Sequence, residues 1–256
     1  MKPSRVLGSG PHVVLCLNGW FGHSHDWGPW EQFLDTDTFT WVFPDYRGYG
    51  TRREISGDYT LESVSDDLME ILDPFFRYDS LTVLGHSMGG AFGQHLITRL
   101  GERADAFVGV SPVPASGSPM LPEQRALFES AESEVDARRT IIDITTGNRL
   151  SSRWLDRMAE ETTTNSDGAA VAGYFRAWAD CDFLDEIGVQ DMPALVIVGS
   201  HDPAVSAEVA RASYGQTFRD LKIVELPDAG HYGMFEAPLR LATEIEGFLG
   251  ERLVDK

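Results

Sequence analysis

The chain has 256 residues, of which 40 are acidic and 21 basic, giving a formal net charge of −19. A charge of that sign repels nucleic-acid phosphates and anionic lipid, so neither a nucleic acid nor a membrane is expected as a partner. The length admits one large α/β domain or two small ones, and the two cysteines, Cys16 and Cys181, are too few for a disulfide framework or a four-thiolate metal site.

The opening MKPSRVLGSGPH lacks the apolar core of a signal peptide. No window approaches the roughly 18 apolar residues of a membrane span, and cysteine usage fits a reducing compartment. A soluble, cytoplasmic protein is therefore expected. HVVLCLN (12–18), TFTWVFP (38–44) and LTVLG (81–85) are β-branched or aromatic runs closed by Gly, Asn or Pro, and each predicts a strand. Between the last two, Leu61, Val64, Leu68, Ile71, Leu72 and Phe75 recur at helical spacing, with Thr60 before them as the N-cap candidate. Strand, helix, strand in this order implies parallel pairing with right-handed crossovers. A helix beginning near Ser87 is followed by a strand at 106–111. Further on, ALVIVG (194–199) and LKIVEL (221–226) predict strands around a helix from about Ser206 to Tyr214, and a last helix runs from about Pro238 to Leu253.

Residues 113–190 break this rhythm. They open with PVPASGSPMLP and continue in helical patterns that carry Trp154, Met158, Phe175 and Trp178. The expected organisation is an α/β core of residues 1–112 and 191–256 with a helical cap inserted at 113–190.

LTVLGHSMGG sets Gly85, Ser87 and Gly89 in a G-x-S-x-G pattern directly between a strand and a helix. This is the context of a nucleophile elbow, where the serine takes a strained conformation and the flanking residues must be nearly without side chains. A serine hydroxyl is a poor nucleophile at neutral pH and needs a base. Asp202 follows one downstream strand and His231 the next, both at the sheet edge that carries the elbow. The order Ser87, Asp202, His231 suits a triad: His231 moves the proton and Asp202 orients the imidazole. Asp228, Asp182 and Asp185 compete for the acid's role. Asp45 is read as structural, paired with Arg47 beside the Gly48 to Gly50 turn.

With these residues assigned, the chain resembles the α/β-hydrolase superfamily over nearly its full length. The matching pieces are NGW (18–20), DYRGYG (45–50), GHSMGG (85–90), GSHDPAV (199–205) and AGHYGMFEAP (229–238). The resemblance implies an eight-stranded, mostly parallel sheet flanked by helices, abbreviated at its N-terminal edge, with a helical cap after the sixth strand. It also implies that the backbone N–H groups of Trp20 and Met88 receive the oxyanion, and that no cofactor is needed. Asn18 stands where the family usually has His.

The expected substrate is a small ester or lactone held by Trp20, Phe21, Trp154, Met158, Phe175, Trp178 and Tyr232, with Phe183 a further candidate. Arg149, Arg153 and Arg157 either receive a substrate carboxylate or face water. The same site could serve carbon–carbon bond hydrolysis, cyanohydrin cleavage or cofactor-free oxygenation, and a non-catalytic receptor is a third reading. Haloalkane and epoxide hydrolysis are disfavoured because related enzymes use Asp where this chain has Ser87. In CLNGWFGHSHDW (16–27), His23, His25 and Asp26 lack the partners a metal site needs, so no metal is expected. Cys16 is assigned to the core, and Asp26 is expected to cap a helix beginning near Trp27.

Overall fold

The computed structural model describes residues 1–254. Seven strands form one sheet in the order β1-β3-β2-β4-β5-β6-β7. They are β1 (Arg5–Leu7), β2 (His12–Leu17), β3 (Phe39–Phe43), β4 (Ser80–His86), β5 (Ala106–Val110), β6 (Ala194–Gly199) and β7 (Leu221–Leu226). Only β1 runs antiparallel, pairing Val6 with Val42; the other pairs are parallel. The parallel strands from β2 to β6 are covered on both faces, and for this reason read as continuous apolar runs with no alternation. β1 supplies the abbreviated N-terminal edge, so the sheet has one strand fewer than eight.

The helices are α1 (Leu61–Leu72), α2 (Met88–Leu100), α3 (Pro122–Ser130), α4 (Val135–Thr145), α5 (Ser152–Asn165), α6 (Gly168–Ala179), α7 (Leu184–Ile187), α8 (Ala207–Thr217), α9 (Gly233–Glu236) and α10 (Pro238–Leu249). Thr60 caps α1 as expected: its hydroxyl accepts from Ser63 N, and Ser63 Oγ accepts from Thr60 N. The periodic run from Leu61 to Phe75 is not one helix. Pro74 cannot continue the α-helical hydrogen-bond ladder, and Asp73–Phe75 tightens into a 3-10 turn. In the same way, the last α-helix stops at Leu249 and passes into a π-helical turn, Gly250–Val254.

Between β5 and β6 the chain runs through α3 to α7 with no strand. These helices touch the loops at the carboxyl ends of the strands. Trp20 Nε1 donates to Val171 O (2.8 Å), Tyr174 Oη to Arg47 O (3.0 Å) and His231 N to Thr145 O (3.1 Å). The helical insertion is thus tied by hydrogen bonds to the loops after β2, β3 and β7.

Candidate active site

Ser87 sits between the last residue of β4 and the first of α2 with φ 52° and ψ −120°. A left-handed conformation is costly for a residue with a Cβ and persists only where its surroundings impose it. Here the imposition is visible. Ser87 N donates to Val110 O (3.0 Å), and its carbonyl accepts from Gly90 N (2.8 Å) and Val113 N (2.9 Å). Gly85 must be glycine, since a Cβ there would stand 2.2 Å from Gly89 O.

Asp202, only 4% exposed, follows β6. Its Oδ1 accepts from Ala204 N (2.9 Å), and its Oδ2 accepts from His231 Nδ1 at 2.7 Å. The competing carboxylates of Asp228, Asp182 and Asp185 lie outside the buried core. His231 lies in the loop between β7 and α9, and three groups fix that loop. Thr145 O accepts from His231 N, His86 Nε2 donates to His231 O (3.0 Å), and Glu236 accepts from Gly230 N (2.8 Å) and Tyr232 N (3.0 Å). Burial pushes the His86 imidazole down to about 3, with His231 adding to the shift. His86 is therefore neutral and donates from Nε2. The sequence gives no role to His86 or Glu236; a polar residue beside a motif shows its backbone partner only in three dimensions.

Ser87 and His231 both line a cavity of about 380 Å³. No hydrogen bond joins their side chains among the described residues. The loop after β2 closes against the elbow, because a Cβ on Gly19 would stand 2.7 Å from His86 Nδ1 and 3.1 Å from Ser87 Cβ. The N–H groups of Trp20 and Met88 donate to no protein acceptor among the described residues. Met88 also begins α2, where the helix dipole favours negative charge. Asn18 has a clear local part in this loop: its Nδ2 donates to Gly19 O (3.2 Å) and Gly22 O (2.6 Å), tying the turn to itself. Tyr46 Oη donates to Asn18 O and Tyr49 Oη to Trp20 O.

Of the expected substrate-binding residues, Trp20, Phe21, Trp178 and Tyr232 line the cavity. Three do not. Phe175 packs behind Trp20 and Trp178, Trp154 stands edge-on against Tyr232 and Phe235, and Met158 belongs to the core. Phe183 joins a separate cluster with Ala115 and Ile187. In a helix whose apolar face meets other helices, the same spacing serves packing and pocket alike. Phe128 and Met120, which nothing in the sequence singles out, line the cavity. Arg149 is bound to Glu236 and Asp228 O, Arg157 to Glu161, and Arg153 is exposed; none lines the cavity.

Two further expectations are corrected. Asp26 caps nothing: the 3-10 helix Gly28–Phe33 starts from Trp27 with no side-chain cap, and Asp26 is instead part of the cavity wall. Asp45 is structural, but not through Arg47, which pairs with Asp67. The Asp45 carboxylate accepts from Ser24 N, Ser24 Oγ, Thr51 N and Thr51 Oγ1, joining the loops after β2 and β3. His23 and His25 lie 6.2 Å apart between ring centres. Among the described residues, no group of three or more His, Cys, Asp or Glu is placed to hold a metal ion, and no helix is long and apolar enough to cross a membrane.

Known proteins give this geometry its context. Residues 14–244 match the Alpha/beta hydrolase family. The 3-oxoadipate enol-lactonase 2 of Acinetobacter baylyi is 22% identical over 86% of this chain and 83% of its own length. Among solved structures, a bromoperoxidase from Bacillus anthracis superposes with a TM-score of 0.84 at 17% identity, covering 96% of this chain and 94% of the other. A thermophilic esterase from Thermogutta terrifontis gives 0.80 at 22% identity, covering 97% and 93%. Such identities carry the fold and leave the substrate open. With the family match running from β2 into α10, the chain belongs to the alpha/beta hydrolase family.

Proposed function

We propose that the protein hydrolyses a small carboxylic ester or lactone through an acyl-enzyme on Ser87. The observation that carries this reading is the His231 Nδ1 to Asp202 Oδ2 hydrogen bond of 2.7 Å at the cavity that Ser87 also lines. Asp202 holds the imidazole with Nε2 free to accept, and it stabilises the imidazolium once His231 has taken the Ser87 proton. The hydroxyl oxygen then bonds the substrate carbonyl carbon. The carbonyl oxygen gathers negative charge facing the N–H groups of Trp20 and Met88, which have no competing acceptor among the described residues. His231 returns the proton to the leaving alcohol. It next takes one from water, whose oxygen bonds the acyl carbon, and hands it to Ser87 Oγ as the acyl–oxygen bond breaks and the acid is released. In this account residues 113–190 act as a cap, because Phe128 and Trp178 from α3 and α6 complete the cavity wall.

The lactonase and esterase among the similar proteins support the substrate class. The test compares wild type with Ser87→Ala on a series of acyl esters and lactones of graded size, together with labelling by a fluorophosphonate. Labelling of Ser87, and a loss of turnover on the order of 10⁴-fold or more in the variant, are expected. Turnover that survives in Ser87→Ala contradicts the reading.

A further inference from the structure

The cavity wall contains a charge that the reaction does not use. Asp26 is the one carboxylate in the lining, and no lysine or arginine lines the cavity among the described residues. Its carboxyl is partly buried and draws no hydrogen bond from the described residues. A carboxylate partly withdrawn from water and given no hydrogen-bond donor by the protein is poorly compensated when ionised, so a cationic ligand in the cavity supplies the partner it lacks.

The surroundings specify which kind of ligand. Trp27 and Tyr232 line the cavity near Asp26, and Trp20, Phe128 and Trp178 continue the aromatic wall. Aromatic faces attract a cation through their quadrupole, and a soft, weakly hydrated ammonium loses least on entering such a wall. A substrate carboxylate would find the opposite: no cation in the wall and one like charge. The net charge of −19 adds a field that attracts cations from solution.

Building on the hydrolase reading, we propose that Asp26 is a specificity-determining residue that favours substrates carrying an ammonium group and rejects those carrying a carboxylate. Burial pushes the Asp26 carboxyl up to about 7, with Glu161 and Glu31 adding to the shift and Arg157 opposing it. These neighbours come from α5 and from the 3-10 helix that follows Asp26. Tyr232 stands beside it after β7, and His231 shares the same cavity. The preference for a cation therefore strengthens as pH rises through about 7 and Asp26 ionises. Comparison with Asp26→Asn at each pH cancels the contribution of every other group around the cavity.

The experiment uses choline and its uncharged isostere 3,3-dimethylbutan-1-ol, with binding measured by calorimetry at pH 6 and pH 8 for wild type and Asp26→Asn. The butyrate esters of both alcohols provide the kinetic arm. At pH 8, wild type is expected to bind choline about fivefold more tightly than the isostere, as one exposed to partly buried cation–π and charge contact allows. At pH 6 that preference shrinks, and in Asp26→Asn it falls at both pH values to the smaller preference that the aromatic wall alone supplies. The kcat/KM ratio of the two esters follows the same pattern. A choline preference that is equal in wild type and variant, or absent in wild type, overturns the proposal. Asp26→Glu, which keeps the charge, stands as a second variant and is expected to retain the preference at pH 8; its loss there overturns the proposal. If neither ester is turned over while the binding preference holds, the hydrolase reading fails and the cation site stands. Turnover of both esters without charge preference removes the cation site and leaves the hydrolase reading in place.

Discussion

Asp26 illustrates how a single side chain couples stability to function. Its carboxyl is raised to about 7 in the folded chain, chiefly by burial, whereas an unfolded chain leaves it near the ordinary value of about 3.9. A folded value above the unfolded one means that the neutral acid contributes stability fully present below about pH 4. That contribution is lost progressively as pH rises to about 7. Asn carries no such titration, so Asp26→Asn is expected to melt higher than wild type at pH 8, by roughly 2–8 °C for a gain of about 1–2 kcal/mol. Thermal melts at pH 4, 6 and 8 check this; a gap between the two proteins that fails to widen from pH 4 to pH 8 contradicts the assignment. The stability lost by the native carboxylate is the counterpart of the charge-partner role proposed for it. At the same scale, Glu236 and His86 act on His231 through its backbone and its neighbours' N–H groups. Asp45 joins two loops with four accepted hydrogen bonds. Residue identity in the sequence marks Ser87, Asp202 and His231 because chain order and strand ends constrain them. It cannot mark Asp26 as a cavity residue, because an aspartate before a turn reads equally as an N-cap.

Among the elements, the loop after β2 is the one whose placement matters most for the proposed chemistry. Its carbonyls are held by Tyr46 and Tyr49, its turn by Asn18, and its Trp20 indole by Val171 O in α6. The Trp20 ring also stacks between Phe21 and Phe128, with ring centres 4.4 and 5.6 Å away. The backbone donor proposed for the oxyanion is thereby anchored to the helical insertion. Trp20→Phe keeps an aromatic ring and the backbone N–H but removes the indole hydrogen bond to Val171 O, whose carbonyl also belongs to the α6 ladder, together with the packing of the larger ring, a loss of about 1–2 kcal/mol. For a chain of this size a fall in Tm of roughly 2–8 °C follows, with kcat reduced more than KM is changed. Unchanged kcat in Trp20→Phe would separate the indole anchor from the geometry of the loop. The strands and α1, α2 and α10 are legible because buried parallel strands and amphipathic helices have strong periodic signatures. The Gly28–Phe33 turn reads as the start of a helix, since Trp27 and Trp30 are core residues whose spacing mimics a helical stripe. The inner surface of 113–190 is only half legible: whether an aromatic faces the cavity or another helix depends on rotations between helices that spacing does not encode.

At the scale of the molecule, a largely parallel sheet brings the carboxyl ends of β2, β4, β6 and β7 to one edge, so residues as distant as Trp20 and His231 share one cavity. The sheet fixes the elbow, and the loops after β2 and β7 share the cavity wall with α3 and α6. A reaction at Ser87 then inherits its selectivity from residues that take no part in bond breaking. The proposed reaction passes through a covalent ester on Ser87. It is tested most directly by quenching wild type with acid during turnover of p-nitrophenyl butyrate and locating the added mass by peptide mass spectrometry. A butyryl group is expected on the Ser87 peptide at early times, lost as turnover ends and never formed in Ser87→Ala. Product formation with Ser87 unmodified throughout, or a butyryl group carried productively on another residue, would contradict it.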